Sequence, residues 1–396
     1  MNSDLDRLQP YPFEHLAALL NAVQPTPELA PITLTIGEPQ HAPPEAVIES
    51  LRDNLHLLSS YPATRGGSDL RDAIADWLSR RYAIARPDPA REILPVSGTR
   101  EALFAIAQAC IDRTENPLVL LPNPFYQIYE GAALLAGATP VFMNCVPENG
   151  LLPDPDQIDD ATWRHCQLIY LCTPGNPGGA VMSTALLSRF IEKALEYDII
   201  LVSDECYSEI YRDENTPPPG LLQACADSGN RAYRNCLSFH SLSKRSNLPG
   251  LRSGFVAGDA TLVDAFMRYR TYHGCAMPAH HQVASAVAWR DEQHVVANRE
   301  QYRTKFDRVA DILSPHLPLQ IPQGGFYLWP RTPIADTEFA RRLYAEENLR
   351  VLPGRYLARD ASGINPGLNH VRMALVAGLA ECEEAAHRIV RLLERL

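Results

Sequence analysis

Between about residues 46 and 290, short apolar segments typical of buried strands alternate with amphipathic segments typical of helices. A strand buried on both faces has a continuous apolar run, whereas a helix repeats its apolar positions every three or four residues. Strands and helices that alternate in this way form a mostly parallel sheet covered by helices, so the sequence predicts an α/β fold. The strand-like segments are EILPV (92–96), PLVLL (117–121), TPVFM (139–143), QLIYLC (167–172), DIILVSDE (198–205), NCLSFHS (235–241) and GFVAG (254–258).

The pattern changes after about residue 290, where longer charged helices accompany two strand-like segments, GGFYLWP (324–330) and NHVRMALV (369–376). This change indicates a second, smaller α+β domain, which we expect the N-terminal segment to complete. The sequence thus predicts a large domain over residues 46–290 and a small domain made of residues 1–45 and 291–396.

The net charge of −11 argues against nucleic acid or an anionic membrane as a partner. The N-terminus lacks the basic and apolar regions of a signal peptide, and no apolar run approaches the roughly 18 residues that a membrane span needs. The nine cysteines include no C-x-x-C pair, which favours reduced thiols. We therefore expect a cytoplasmic protein without nucleic-acid or membrane partners.

Polar residues follow several predicted strands, at the end where α/β folds bind ligands. Gly98, Thr99 and Arg100 follow one strand and enter a helix, whose free N–H groups can hold a phosphate. Asn176 follows a second strand, and Asp204 ends a third. Taken alone, each is better explained as a helix cap, a turn asparagine or a strand-end carboxylate.

Lysine is rare here, since only three of the 36 lysines and arginines are lysines. One of them, Lys244, has Ser241 and Ser243 before it and Arg252 eight residues after it. A desolvated lysine can lose its proton and become a nucleophile, whereas an arginine cannot. Because arginine is the better bidentate phosphate ligand, this stretch predicts an imine-forming amine beside a phosphate site.

These features together match the chemistry of pyridoxal 5′-phosphate. Lys244 would bind its aldehyde, while Ser241, Arg252 and the turn at 98–100 would bind its phosphate. Ser243 is also expected among the cofactor-binding residues. The order of these residues along the chain, each at the end of a predicted strand, makes the combination far more specific than any one of them.

The pyridine ring of the cofactor requires a second group of residues. Asp204 would keep the ring nitrogen protonated, and Asn176 and Tyr207 would hydrogen-bond to the ring hydroxyl. Tyr126, which follows the strand PLVLL, would stack on the ring face.

Over essentially its whole length the chain resembles fold-type I pyridoxal-phosphate enzymes, and among them the class I and II aminotransferases. In one place it departs from the family pattern, because the usual N-P-T-G is here NPGG (176–179). The motifs that carry the resemblance are IGEPQ (36–40), YPATRGGSDLRDAI (61–74), SGTREAL (97–103), PNPFYQIY (122–129), TPGNPGG (173–179), SDECYSEI (203–210), SLSKRSNLPGLRSGF (241–255), GGFYLW (324–329) and NHVRMALV (369–376).

The resemblance implies a seven-stranded, mostly parallel sheet, with Lys244 as the catalytic residue that forms an imine with the cofactor. It implies that Arg372 binds the substrate α-carboxylate, with Gly37 and Asn176 also at the substrate. It further implies a homodimer with shared active sites, in which Tyr61 reaches the phosphate bound by the neighbouring subunit.

The implied reaction is a ping-pong transfer of an amino group between amino and keto acids, with Lys244 as the general base at Cα. The same scaffold also supports a C–S lyase, and sequence alone leaves that alternative open. A pyridoxal-phosphate-binding transcription regulator would need a basic module ahead of this domain, whereas the first motif begins at residue 36 of an acidic chain. A non-catalytic scaffold would not need every cofactor contact.

Three segments resemble bacterial succinyldiaminopimelate aminotransferases of lysine biosynthesis: LQPYPFEHLAALL (8–20), SLSKRSNLPGLRSGFVAGD (241–259) and VLPGRYLARD (351–360). This resemblance implies N-succinyl-2-amino-6-oxopimelate as acceptor and glutamate as donor. Alanine, aspartate and aromatic aminotransferases remain alternatives. Because the succinylated substrate has two further carboxylates, we expect extra positive charge at its far end, from Arg65, Arg355 or Arg359.

Overall fold

The computed structural model describes all 396 residues of the chain. Helices cover the sheet and build much of the C-terminal part of the chain. The α-helices are α1 (Pro12–Leu20), α2 (Glu45–Asp53), α3 (Ser68–Tyr82), α4 (Thr99–Cys110), α5 (Ile128–Leu135), α6 (Asp160–His165), α7 (Thr184–Glu196), α8 (Leu221–Asp227), α9 (Leu242–Arg245), α10 (Ala260–His273), α11 (Ala279–Arg290), α12 (Gln293–Leu313), α13 (Asp336–Glu347) and α14 (Leu379–Leu393).

The strands fall into one large sheet and two small ones. They are β1 (Ile32–Thr33), β2 (Ile93–Val96), β3 (Leu118–Asn123), β4 (Thr139–Asn144), β5 (Cys166–Cys172), β6 (Ile200–Asp204), β7 (Cys236–Ser241), β8 (Gly254–Gly258), β9 (Tyr327–Leu328), β10 (Leu349–Arg350), β11 (Leu352–Pro353) and β12 (Val371–Ala374).

The large sheet has seven strands in the order β2-β8-β7-β6-β5-β3-β4. Neighbouring strands run parallel except at β8, which is antiparallel to both β2 and β7. The predicted α/β fold with a mostly parallel seven-stranded sheet is therefore confirmed. No helix combines the length and the apolar composition that crossing a lipid bilayer requires.

Both faces of this sheet are buried, which explains why its strands have continuous apolar runs. In β3, Leu120 packs into one hydrophobic cluster, whereas Val119 and Leu121 pack into another. In β5, Ile169 packs into the first of these clusters and Tyr170 packs into the second. Successive side chains of a strand point to opposite faces, so each strand contributes to the two helical layers.

A third hydrophobic cluster joins Ile32 and Leu34 to residues between 306 and 392. Around it lie the parallel pair β1 and β10 and the antiparallel sheet β11-β12-β9. The N-terminal segment thus packs with the C-terminal part of the chain. The exact domain limits, at 45/46 and 290/291, stay a prediction.

The central parallel strands end at one edge of the large sheet. Cys172 at the end of β5 is the register partner of Asp204 at the end of β6. β7 ends at Ser241, and the short helix α9 with Lys244 follows directly. The polar residues at these strand ends are therefore brought together above the sheet.

Candidate active site

A cavity of about 700 Å³ lies at this edge of the sheet. All of the predicted site residues except Gly98 and Tyr61 line it. Those residues are Gly37, Thr99, Arg100, Tyr126, Asn176, Asp204, Tyr207, Ser241, Ser243, Lys244, Arg252 and Arg372.

Lys244 projects into the cavity from α9. Its Nζ donates a hydrogen bond to the carbonyl oxygen of Gly37 at 2.7 Å, and it lies 5.6 Å from the centre of the Phe326 ring. Burial lowers the pKa of Lys244 to about 8. A substantial fraction of this amine is therefore neutral and nucleophilic slightly above neutral pH.

Asp204 is buried at the bottom of the cavity. Its Oδ2 accepts a hydrogen bond from the Tyr129 hydroxyl at 2.7 Å, and its Oδ1 accepts one from the backbone N–H of Cys206 at 3.1 Å. Burial raises the pKa of Asp204, while these hydrogen bonds oppose the rise. A cationic group above this carboxylate would stabilise its charged form.

The start of α4 and Arg252 form one side of the cavity. No acceptor in the protein bonds to the backbone N–H groups of Thr99, Arg100 and Glu101. Gly98, just before the helix, has φ +90°, and a Cβ placed there would lie 2.2 Å from Nη2 of Arg252. Only glycine therefore allows the guanidinium to approach this backbone so closely.

The two serines lie beside this arginine. Ser241 Oγ caps α9 by accepting a hydrogen bond from the Ser243 backbone N–H at 3.1 Å. Arg252 Nη1 donates to the carbonyl of Pro249 at 2.9 Å. Free helical N–H groups, hydroxyls and a guanidinium form the donor set that a phosphate dianion requires.

Arg372, on β12, lies on the opposite side of the cavity. Its Nη1 donates to Asn176 Oδ1 at 3.1 Å and its Nη2 donates to the carbonyl of Thr35 at 2.8 Å. Its guanidinium lies 4.4 Å from the centre of the Tyr327 ring. Nε of Arg372 is buried without a hydrogen-bond partner. An anionic ligand that accepted a hydrogen bond from Nε would satisfy this donor.

Tyrosine hydroxyls complete the wall. The hydroxyls of Tyr207 and Tyr327 are 3.1 Å apart, and burial raises the pKa of Tyr207. A Cβ at Gly37 would lie 1.9 Å from the Tyr327 hydroxyl, so this backbone also requires glycine. Burial raises the pKa of Tyr126, whose ring meets that of Tyr129 edge-on.

These groups fit pyridoxal 5′-phosphate. The partly neutral amine of Lys244 suits its aldehyde, and the buried carboxylate of Asp204 suits a protonated ring nitrogen. The unpaired N–H groups of α4 and the guanidinium of Arg252 suit its phosphate.

Tyr61 lies outside the cavity of its own chain and is fully exposed. Leu55 and Leu58, in the preceding 3-10 helix (Leu55–Ser59), are also exposed. In this chain alone the predicted phosphate contact of Tyr61 is not made.

The three arginines expected at the far end of the substrate also lie outside the cavity. Each forms an ion pair with a carboxylate elsewhere, so none offers a free guanidinium to a substrate. The pairs are Arg65 with Asp264 at 3.1 Å, Arg355 with Asp336 at 2.7 Å and Arg359 with Glu130 at 2.6 Å.

Arg100 instead has an exposed side chain on the cavity wall and makes no ion pair. Its Nη2 donates to the hydroxyl of Tyr11 at 2.9 Å. The sequence predicts a role for Arg100 only in the phosphate turn and gives no signal for Tyr11. Tyr129 is also absent from the predicted site, although a helix that began near Tyr126 would place both rings on one face.

Comparisons with known proteins point to one family. Residues 30–389 match the family described as aminotransferase class I and II. An LL-diaminopimelate aminotransferase of Nitratidesulfovibrio vulgaris is 31% identical over 367 residues, which is 91% of each chain. The crystal structure of an aminotransferase from Neisseria meningitidis Z2491 has a TM-score of 0.95 and 46% identity, covering 99% of this chain and 100% of its own.

A probable N-succinyldiaminopimelate aminotransferase from Thermus thermophilus is also similar. Its structure has a TM-score of 0.83 and 28% identity, and the match covers 93% of this chain and 96% of its own.

Proposed function

This chain belongs to the class I and II aminotransferases, a pyridoxal-phosphate-dependent family, and from that premise we propose that it acts on a diaminopimelate-type substrate in lysine biosynthesis. The acceptor would be N-succinyl-2-amino-6-oxopimelate and the amino donor glutamate. The observation that carries the proposal is the unpaired guanidinium of Arg100 at the cavity wall, hydrogen-bonded to Tyr11. It can bind a carboxylate far from the reacting amine.

When bound, pyridoxal phosphate supplies an electrophilic aldehyde and a ring that accepts electrons from substrate Cα. The other roles belong to the protein. In one half-reaction the Lys244 amine would take the proton from Cα of the amino acid, and in the other half-reaction it would deliver a proton to Cα of the keto acid. The lowered pKa of Lys244 suits this role, because the neutral amine that accepts a proton is then more populated near neutral pH than in an ordinary lysine.

Asp204 would hold the proton at the ring nitrogen, and its hydrogen bonds from Tyr129 and Cys206 keep the carboxylate oriented. The burial of Asp204 would strengthen this interaction, since little water screens it. The carboxylate therefore contributes through electrostatics, without a covalent step of its own.

Arg372 binds the substrate α-carboxylate and so fixes the amine beside Lys244. Its unpaired Nε supports this role, and its contacts with Asn176 and Thr35 hold the guanidinium in position. With Arg372 on one side and Arg100 on another, the cavity suits substrates that carry carboxylates at both ends.

A second candidate substrate is LL-diaminopimelate without the succinyl group. The similarity to the N. vulgaris enzyme favours it. Its far end carries an ammonium group as well as a carboxylate. Glu38, which lines the cavity with an exposed side chain, offers a carboxylate to that ammonium.

The deciding experiment is a half-reaction screen. The loaded enzyme is mixed with N-succinyl-LL-diaminopimelate, LL-diaminopimelate, glutamate, alanine, aspartate or tyrosine, and loss of absorbance above 400 nm is followed. We expect the succinylated compound and glutamate to react fastest. Faster reaction of free diaminopimelate would select the second candidate, and reaction of alanine or tyrosine alone would discard both.

The role of Arg100 is tested by Arg100→Gln, with Arg91→Gln as the matched control. Arg91 is exposed just before β2 and makes no side-chain hydrogen bond or ion pair. We expect Arg100→Gln to raise KM for the succinylated substrate about 10-fold or more and to leave the alanine half-reaction within about two-fold. An equal effect on both substrates would remove Arg100 from the recognition of the far carboxylate.

We also propose a homodimer with shared sites. The exposed side chains of Leu55, Leu58 and Tyr61 support it, because exposed apolar side chains are stabilised when a partner covers them.

A further inference from the structure

The segment that carries Gly37 over Lys244 is held in an unusual way. From Thr35 to Pro43, no backbone group hydrogen-bonds to another backbone group. Only side chains fix the segment: Arg372 donates to the Thr35 carbonyl and Lys244 to the Gly37 carbonyl. The position of this wall of the cavity therefore depends on a few side-chain contacts.

His41 is the anchor at the far end of the segment. Its Nδ1 lies 2.7 Å from Asn298 Oδ1, and its Nε2 lies 2.6 Å from the Lys305 amine. Because an amide oxygen only accepts and an ammonium only donates, Nδ1 carries the proton and Nε2 accepts. Both neighbours lie on α12, so the imidazole ties the segment to that helix.

Lys305 is buried and pairs with no carboxylate. Its ammonium instead has three acceptors: His41 Nε2 at 2.6 Å, the Val376 carbonyl at 3.2 Å and the Leu375 carbonyl at 3.3 Å. An ammonium has three donors, so each finds a partner. A compact ammonium on a flexible stem, unlike a planar guanidinium, can rotate to direct its three donors to these acceptors.

Asn298 extends the network to the catalytic helix. Its Nδ2 donates to the backbone carbonyl of Lys244 at 3.2 Å, and its Oδ1 also accepts from Asn247 at 3.0 Å. The same side chain thus contacts both the anchor of the segment and the backbone of the residue that the segment covers.

We infer that Lys305, His41 and Asn298 are positioning residues that hold the segment from Thr35 to His41 against Lys244. None of the three lines the cavity. Through the segment they set the distance between the Gly37 carbonyl and the Lys244 amine. They also keep the Thr35 carbonyl within hydrogen-bond distance of Arg372. Removing any of them would weaken substrate binding more than it would slow the proton transfer.

Two variants test this inference. Lys305→Met keeps the length and burial of the side chain but removes all three donors, and His41→Leu removes the anchor from a segment outside any helix or strand. Lys193→Met is the matched control, because Lys193 lies on the surface of α7 and pairs only with Glu196.

The first measurement uses cofactor-free protein and does not depend on any assumed substrate. Acetic anhydride labels Lys244, and peptide mass spectrometry gives its rate. We expect each variant to label at least about three-fold faster than the parent, because the covering segment is released, and the control to match the parent.

The second measurement uses loaded enzyme and the amino acid that reacts best with it. We expect KM to rise about five-fold or more with kcat within about three-fold of the parent. If either folded variant leaves both the labelling rate and KM within two-fold of the parent, or lowers kcat at unchanged KM, the positioning role is wrong. If Lys305→Met does not fold, His41→Leu alone decides.

Discussion

Lys244 and Gly37 are 207 residues apart in the chain, yet the amine of one lies 2.7 Å from the carbonyl oxygen of the other. This contact joins the helix after β7 to the segment after β1. This hydrogen bond offsets part of the free energy that burying the ammonium costs, although burial still lowers the pKa of Lys244 to about 8. Lys244 therefore titrates closer to neutral pH than an ordinary lysine does.

We expect this titration to be visible in the chemical reactivity of the cofactor-free protein. Only the neutral amine attacks acetic anhydride, so labelling of Lys244 should rise with pH through a midpoint near 8. Lys193 is an internal reference, since its hydrogen bond with Glu196 raises its pKa above the usual value. Labelling across about pH 6 to 11, read by peptide mass spectrometry, tests this, and equal midpoints for the two lysines would contradict it.

Borohydride reduction of the loaded protein should add the cofactor mass to the peptide that contains Lys244. The lysine content makes the assignment simple, because only Lys193, Lys305 and the α-amino group of Met1 could compete. Mass spectrometry of the digested protein gives the answer. Modification at either of the other lysines would refute the catalytic assignment.

Asp204→Asn should retain the cofactor but slow the proton shift at Cα by about 10²-fold or more, because the ring nitrogen loses its charge partner. Stopped-flow absorbance in the half-reaction measures the rate. Tyr129→Phe is a graded comparison, since it removes only the hydrogen bond to Oδ2 and should have a smaller effect. Near-normal turnover in the asparagine variant would mean that another group holds the ring nitrogen.

Gly98→Ala should weaken cofactor binding by about 10-fold or more, because the new Cβ meets the Arg252 guanidinium and φ is +90°. Gly250→Ala is the control. Gly250 lines the same cavity, but a Cβ there has nothing within 4 Å. Titration of each cofactor-free variant with pyridoxal phosphate, followed by absorbance, gives the dissociation constants. Similar values for the two variants would mean that the close approach of Arg252 to Gly98 is not what weakens binding.

Mixed dimers test the proposed role of Tyr61. Lys244→Ala and Tyr61→Phe subunits, each impaired alone, should regain part of the activity when they are mixed, because one site of the heterodimer has both residues intact. Steady-state assays before and after subunit exchange measure the gain. A chain that stays monomeric at micromolar concentration would refute the shared site.

The strands of the large sheet could be predicted closely from sequence, because most of them are buried on both faces and have a continuous apolar run. The segment PLVLL (117–121), for example, overlaps β3 (Leu118–Asn123) at four residues. The position of β8 between β2 and β7, antiparallel to both, could not be predicted, because apolar patterning carries no information on strand order. The two-residue strands β1, β10 and β11 are too short to leave a periodic signal.

Lys244 and Asp204 could also be predicted to lie at the site, since they combine charge with an apolar context, whereas Arg372 was implied by the family resemblance. The partners that complete them depend on tertiary contacts that sequence spacing does not reveal. Tyr11 meets Arg100 across 89 residues, and Tyr129 meets Asp204 across 75. Conversely, Arg355 and Arg359 lie in a segment with family resemblance, yet Asp336 and Glu130 already neutralise them.

The burial of Lys305 and the enclosure of Lys244 have a practical consequence for immobilising the enzyme. A solid support that couples to amines can reach Lys193 on α7 and the α-amino group of Met1, and few other positions. No residue of α7 lines the cavity. Molecules tethered through Lys193 would therefore share one orientation and keep their substrate entrance open, which a lysine-rich surface would not permit.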